Sequence, residues 1–154
     1  MISHPKDVIF NNIGTPIEHG PHTEKGKPWA VLRHGRPLTK RQQALLDKLP
    51  ECGSRAVVKK SDVSMNDLAA LTAKEQVEFA MFTRGAERLV VRGDRLRVYI
   101  SPAEAIVMRV SGYKWSGHTH VKGLLASIGD KEILKQFSQM RSAIYDSMGD
   151  YNTF

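Results

Sequence analysis

Apolar and polar positions alternate in short runs along the second half of the chain, a pattern typical of half-buried β-strands. Residues 77–83 (VEFAMFT) and 88–92 (RLVVR) are rich in aromatic and β-branched side chains and are separated by a turn at Gly85. Further strands are predicted over residues 55–59, 95–100, 113–120, 142–147 and 151–154. The last two flank the turn at residues 148–150 and predict a hairpin.

Helices are predicted between the strands, where a serine or threonine precedes a run of helical apolar spacing. The capping residues are Thr39, Ser64, Ser101 and Ser127. The helices they open are predicted over residues 38–49, 64–71, 102–111 and 128–140. Strands that alternate with helices predict an α/β fold, in which a mixed central β-sheet is flanked by helices.

The first 40 residues carry a glycine or proline every few positions, which predicts an irregular segment. We therefore divide the chain into a basic, loop-rich arm with one short helix, residues 1–50, and a compact α/β catalytic domain, residues 51–154. A chain of 154 residues is long enough for one such domain with an arm.

The positive charge lies almost wholly in the first part of the chain. Residues 1–60 hold 11 Lys and Arg against 5 Asp and Glu, whereas residues 61–154 hold 12 against 11. This asymmetry favours an acidic partner for the arm, which could be nucleic acid, an acidic protein or an anionic surface. A solvated tail that only aids solubility is the alternative.

The cysteine content and the apolar runs exclude several classes of protein. With Cys52 alone, the chain can form neither an internal disulfide nor a multi-cysteine zinc site. No apolar run approaches the roughly 20 residues that span a bilayer, so we expect no membrane span. Residues 1–7 lack the apolar core of a signal peptide, and we expect a cytoplasmic site of action.

The segment from Gly117 to Asp130 carries the candidate chemistry. His118 and His120 stand at positions i and i+2 of a predicted strand, so their imidazoles point to the same side and can share one ion. Asp130, in the first turn of the next helix, can add an oxygen ligand. Two histidines and one carboxylate leave the fourth tetrahedral position open, which is the arrangement of a catalytic zinc site.

This order of strand, His-x-His, short loop, Ser-x-x-Asp and helix resembles the JAMM (JAB or MPN+) zinc metallopeptidases. Their pattern is H-x-H-P, a short gap and S-x-x-D, with a catalytic glutamate at the beginning of an upstream strand. Here Glu78 opens a similar strand, EFAMFTRG. The likeness covers about residues 66–154. The chain departs from the pattern at Val121, where the family has proline, and in a gap of six residues before Ser127, one fewer than usual.

The resemblance implies a zinc-dependent hydrolase that cleaves a peptide or isopeptide bond in a protein or peptide substrate. It makes His118, His120 and Asp130 the metal ligands, and it makes Glu78 the general base that takes a proton from the attacking water. Ser127 would help to hold the oxyanion. Independently of the family, a divalent metal beside a carboxylate is a combination that can activate water near neutral pH.

A second, weaker resemblance is to toxin and effector domains at the C-terminal ends of phage head-morphogenesis and related secreted proteins. It implies delivery within a larger phage or secreted protein and an immunity protein as a partner. Some of these domains are metal-independent ribonucleases of the barnase, EndoU or RelE type, which would act on nucleic acid with His118 and His120 as acid and base. The accompanying residues would be Arg84, Arg92, Ser142 and Tyr145. A third reading is a catalytically inactive, JAMM-like binding module.

Overall fold

The computed structural model of the protein describes residues 37–154. Within that range the chain forms four α-helices, six β-strands and one short 3-10 helix, Lys60–Asp62. In chain order they are α1 (Lys40–Asp47), β1 (Arg55–Lys59), α2 (Met65–Glu75), β2 (Phe79–Arg84), β3 (Glu87–Arg92), α3 (Pro102–Val110), β4 (Lys114–His120), α4 (Ile128–Gln136), β5 (Ala143–Asp146) and β6 (Tyr151–Thr153).

The six strands form one mixed sheet in the order β1-β3-β2-β4-β5-β6. Only β4 and β5 run parallel, because α4 provides the crossover between them, and the other neighbouring strands are antiparallel. Strands β5 and β6 form the hairpin that the turn at residues 148–150 predicts. The predicted α/β fold with a mixed central sheet is therefore confirmed.

Alternate residues of the central strands face two separate apolar layers. In β2, Phe79 and Met81 pack against the side that carries α1 and α2, together with Leu68 and Leu71. The intervening Ala80 and Phe82 belong to the opposite layer, which carries α3 and α4. A strand covered on both faces buries nearly every side chain, as the burial of residues 79–82 shows.

Helix α1 begins after the predicted cap, since the Thr39 hydroxyl accepts from the backbone N–H of Gln42 and the Gln42 side chain accepts from Thr39. Leu45, Leu46 and Leu49 are buried in the same cluster as β1 and β2. The last residues of the predicted arm therefore contribute to the core of the domain. Residues 1–36, the greater part of that arm, lie outside the described residues.

The predicted strand over residues 95–100 is wrong. Asp94 closes a tight turn instead: its carboxylate accepts from the backbone N–H groups of Leu96 and Arg97, and its own N–H donates to the Arg97 carbonyl. A Cβ at Gly93 would lie 2.1 Å from that carbonyl oxygen, so the turn requires glycine. Val98 and Ile100 are fully buried, and their burial produces the alternation that resembled a strand.

Two helix ends differ from the prediction. Helix α2 continues past residue 71 to Glu75, because its buried face continues and Gln76 caps it in the left-handed conformation (φ 58°). Helix α4 ends at Gln136 and not near Met140. The Gln139 side chain binds both the backbone N–H and the carbonyl of Trp115, which draws the chain away from the helix axis toward β4.

The prediction on membrane insertion agrees with the helices of the structure. Across residues 37–154, none of them combines the length and apolarity needed to cross a bilayer.

Leu45→Ala tests whether α1 is an integral part of the domain. Leu45 is 2% exposed, so its truncation removes packed surface and should lower the free energy of unfolding by about 2–5 kcal/mol. Lys40→Ala, on the exposed side of the same helix, should change it by less than about 0.5 kcal/mol. Urea unfolding followed by circular dichroism measures both, and equal, small effects would mean that α1 is not integral to the fold.

Candidate metal centre

The candidate site forms where β2 begins, β4 ends and α4 begins. His118 and His120 are in the last three residues of β4, and Glu78 immediately precedes β2. The antiparallel register pairs Ala80 with His118, so its continuation sets Glu78 opposite His120. Asp130 lies in the first turn of α4. The chain thus brings all four predicted residues together from three separate elements.

The two histidines and the aspartate are in direct contact. The Nε2 atoms of His118 and His120 are 3.0 Å apart. The Asp130 carboxylate lies 3.2 Å from His118 Nε2 through one oxygen and 3.5 Å from His120 Nε2 through the other. The predicted convergence is confirmed.

These distances suit a shared cation. Two ligand atoms bound to zinc at about 2.0–2.1 Å in tetrahedral geometry stand roughly 3.3 Å apart. The three distances of 3.0, 3.2 and 3.5 Å scatter around this value. Both histidines also present the same ring atom, Nε2, to the common point. The donor set of two imidazoles and a carboxylate therefore fits a zinc-sized ion in both chemistry and spacing.

Glu78 lies beside this group and is fully buried. One of its oxygens and a nitrogen of each histidine all lie within 4.8 Å of one another. Within residues 37–154, neither oxygen of Glu78 has a hydrogen-bond partner. Because burial disfavours the charged form, and the charges of Asp130 and Asp94 add to this, the pKa of Glu78 is raised well above its usual value. Such a carboxyl can take up and release a proton nearer to neutral pH than an exposed one.

Burial also acts on the pKa values of His118 and Asp130. Burial lowers the pKa of His118, and the nearby Asp130 carboxylate only partly opposes this shift. A neutral imidazole has a lone pair available for a metal. Burial works to raise the pKa of Asp130, but the charge of His118 and hydrogen bonds from both histidines outweigh it, so that pKa lies below its usual value.

A hydrogen-bonded clamp behind the site holds β4 against β2. Thr119 points away from the two histidines, and its hydroxyl lies 2.6 Å from that of Thr72 on α2. The same Thr119 oxygen accepts from the backbone N–H of Phe79, the residue after Glu78. The clamp thus sets the separation between Glu78 and the histidine pair, and all three residues are fully buried.

Two close approaches complete the frame around His118. The Trp115 ring stacks on the imidazole with centroids 5.0 Å apart, and Phe154 meets it edge-on at 6.0 Å. At Gly117 a Cβ would lie 2.9 Å from the Ala143 carbonyl oxygen and 3.1 Å from the Met65 Cε, so glycine lets β5 and α2 approach the strand. The contacts with Trp115 and Phe154 exclude water from the His118 ring and limit its rotation.

Ser127 positions Asp130 through a reciprocal cap. Its hydroxyl accepts from the Asp130 N–H at 3.0 Å, and its own N–H donates to the Asp130 Oδ2 at 2.9 Å. The predicted N-cap of α4 is confirmed, and it orients the aspartate toward the histidines. The role of Ser127 in holding an oxyanion stays a prediction.

The residues expected to assist a ribonuclease do not gather around the histidines. Arg84 binds Glu87 at the far end of β2, and Arg92 binds Glu75 on the opposite face of the sheet. The buried Ser142 donates to the Trp115 carbonyl. Tyr145 pairs in register with Thr119, whose side chain points away from the site, and stacks on Tyr151.

The clamp residues Thr72 and Thr119 are the part of the site that sequence reasoning missed. They are 47 positions apart, and neither has a pattern that marks it as part of a site. Only the packing of α2 against β4 brings them together. Thr119, between the two histidines, carried the one available signal, since a residue at i+1 of a paired strand must point to the opposite face.

Comparisons with protein-family models, curated proteins and solved structures give no match to this chain. The functional argument therefore rests on the geometry and chemistry of the site itself.

Thr119→Val tests the clamp. The substitution keeps the shape and leaves the buried Phe79 N–H without its acceptor, which should lower the free energy of unfolding by roughly 1–3 kcal/mol. Thr119→Ser keeps the hydroxyl and should recover the part of that loss that is due to hydrogen bonding. Urea titrations of the three proteins measure the difference. If valine is tolerated as well as serine, the clamp does not stabilise the strand pair.

Proposed function

We propose that this domain is a zinc-dependent hydrolase of peptide or isopeptide bonds, similar in its chemistry to the JAMM metallopeptidases. The observation that carries the proposal is the convergence of His118, His120 and Asp130 at zinc-ligand spacing beside a buried glutamate without a hydrogen-bond partner in the described part of the chain. In this proposal, the two imidazoles and the Asp130 carboxylate hold the ion.

Contacts and protonation, rather than distance alone, distinguish the roles that we assign to the two carboxyl groups. Asp130 lies within 3.5 Å of both Nε2 atoms, and its cap to Ser127 fixes its orientation. One Glu78 oxygen lies within 4.8 Å of a nitrogen of each histidine, close enough to the site to serve an ion there, but within residues 37–154 it has no hydrogen-bond partner. We assign Glu78 the role of base because its raised pKa suits a carboxyl that takes up and releases a proton near neutral pH.

Glu78 therefore acts as the general base: it accepts a proton from the attacking water and returns it to the leaving amine. A zinc ion held by His118, His120 and Asp130 would supply a Lewis acid for the scissile carbonyl and would make water nucleophilic near neutral pH. The apolar ring of Trp115 keeps solvent away from His118, which strengthens the electrostatic interactions of the site. The ligands and the base are all fully buried, so turnover requires that a covering segment move aside for the substrate.

The ribonuclease alternative has less support. Glu78 and Asp130 would both stand beside the scissile phosphate and repel it. Arg84 and Arg92, the cations that would have to hold the phosphate, are engaged by Glu87 and Glu75. The carboxylates that hinder phosphate binding are the groups that a divalent cation requires.

Metal analysis of protein purified without a chelator or a histidine tag tests the metal site. We expect about one zinc per chain, since the donor set is that of a mononuclear site. Asp130→Asn keeps the shape of the side chain and weakens the oxygen ligand, so zinc content after dialysis should fall well below that of the wild type. Glu132→Gln, an exposed acid on the same helix, is the matched control and should retain full zinc.

The outcome of that analysis distinguishes the three classes of function. A metal-free protein that cleaves RNA in the presence of a chelator would contradict the proposal in favour of the ribonuclease. A folded protein that neither binds zinc nor cleaves peptide or RNA would contradict it in favour of an inactive binding module.

Glu78→Gln separates the base from the ligands. Glutamine keeps the shape but cannot accept the proton, so zinc content should stay at the wild-type level while turnover falls roughly 10²–10⁴-fold. His120→Ala should lose both. Cleavage of a mixed peptide library and of isopeptide-linked dipeptides, followed by mass spectrometry, measures turnover. Thermal melts on the same preparations allow comparison at equal folded fraction, and a Glu78→Gln protein with wild-type activity would defeat the mechanism.

A further inference from the structure

Within residues 37–154, strand β1 lies at one edge of the sheet and pairs only with β3. Ser54 accepts from the Arg92 N–H and Lys60 donates to the Ala86 carbonyl, so the even-numbered residues of this segment direct their backbone groups toward β3. The odd-numbered residues Arg55, Val57 and Lys59 therefore direct their N–H and C=O groups away from the sheet. As far as the described residues go, this edge presents an unused row of strand donors and acceptors.

Edge strands usually carry charged outward side chains that prevent association with other chains, and the outward side chains of β1 depart from this pattern at the centre of the strand. Ala56 and Val58 face the core, whereas Val57 is 57% exposed between Arg55 and Lys59. Val57 lines an open groove together with Lys48, Lys59, Asp62, Arg84 and Glu87. The edge therefore has an apolar side chain at its centre and a cation two residues to either side. The side chains of a strand added at this edge could recognise that pattern.

Helix α3 contacts the sheet at two points near this edge. Glu104 pairs with Arg55 at one end of β1, and the Ser111 carbonyl accepts from Arg84 near the other end. Val107 lies between Glu104 and Ser111 on the same stripe of the helix and is 64% exposed, so it is a second exposed apolar residue between these two contacts.

Charge decides which occupant fits. If β1 paired antiparallel with β1 of a second copy about Val57, Arg55 would stand opposite Lys59, and like charges directly opposite destabilise a strand pair. A partner strand with an acidic residue opposite Lys59 would be stabilised instead, and a second acidic residue opposite Arg55 would share that guanidinium with Glu104. Lys59 forms no ion pair within residues 37–154, so its charge is available for such a contact.

We propose that the free edge of β1 is a docking site for an extended segment of a protein partner, which adds to the sheet as a seventh strand. The segment carries an apolar residue opposite Val57 and acidic residues two positions to either side, opposite Arg55 and Lys59. Backbone hydrogen bonds supply the affinity, and the charge pattern supplies the specificity. This site is independent of the metal centre and does not rest on the proposed hydrolase activity.

The test uses a short synthetic peptide centred on Glu-Thr-Val-Thr-Glu, whose symmetric pattern fits either strand direction. Fluorescence anisotropy should show saturable binding to the wild-type protein, and a Lys-Thr-Val-Thr-Lys peptide should bind at least about tenfold more weakly. Lys59→Glu should abolish most of this preference, because it leaves one cation, Arg55, and one anion at the two positions. Hydrogen exchange should show slower exchange of the Val57 N–H when the acidic peptide is bound.

Val57→Pro removes the central edge donor without a loss of pairing to β3, because proline is tolerated at outward positions of an edge strand. It should weaken acidic-peptide binding at least about tenfold, whereas Val57→Thr, which keeps the N–H and the β-branched shape, should bind nearly as the wild type does. Circular dichroism confirms that each variant is folded.

Three outcomes would overturn the proposal. The first is no saturable binding of the acidic peptide to the wild type. The second is binding that Val57→Pro leaves unchanged, which would mean a contact made by side-chain charge alone. The third is tighter binding of a single-stranded oligonucleotide that Val57→Pro does not weaken, which would make the cations a nucleic-acid surface.

Discussion

The burial of four ionisable side chains in one small volume is the constraint on which the rest of this structure depends. Glu78, His118, His120 and Asp130 are all fully buried, and an ionised group that leaves water costs several kcal/mol unless partners compensate it. Asp130 and the two histidines compensate one another through their contacts. Glu78 has no such partner among the described residues, and a shared cation would supply one.

The elements around these four side chains fix their relative positions as well as bury them. The histidine pair comes from the end of a central strand, the aspartate comes from a capped helix start, and Glu78 is the residue before the neighbouring strand. The hydroxyl of Thr119 sets the distance between the two strands, and the cap from Ser127 sets the direction of the aspartate. Support of this kind gives a site the sub-ångström positioning that metal binding and proton transfer require.

The closed centre and the open edge lie in different parts of the same sheet. Strand β1 is separated from β2, beside which the centre lies, by the whole width of β3. A segment that added to β1 would therefore leave Glu78, the two histidines and Asp130 untouched. The two faces also differ in chemistry, since the centre gathers carboxylates for a cation and the edge presents cations for an acidic strand.

The sequence by itself determined the elements whose signals are local. The capping residues Thr39, Ser64, Ser101 and Ser127 each begin a helix, because a cap needs only a side chain and the backbone N–H three residues later. The His-x-His spacing at the end of a strand placed both imidazoles on one side for an equally local reason. The order of the motifs also identified the four residues that converge.

Tertiary structure alone decided what depends on distant residues. Residues 95–100 alternate like a strand, but the segment forms no strand of the sheet β1–β6, and Val98 and Ile100 are buried on a chain that the Asp94 turn holds. Helix α4 ends shortly before Gln139, whose side chain binds the backbone of Trp115. No residue near the end of the helix predicts that end from the sequence. The contact between Thr72 and Thr119, and the convergence of Glu78, the two histidines and Asp130, arise only when α2, β2, β4 and α4 pack together. A pattern along the chain encodes which face a side chain takes and not how far it lies from a residue on another element.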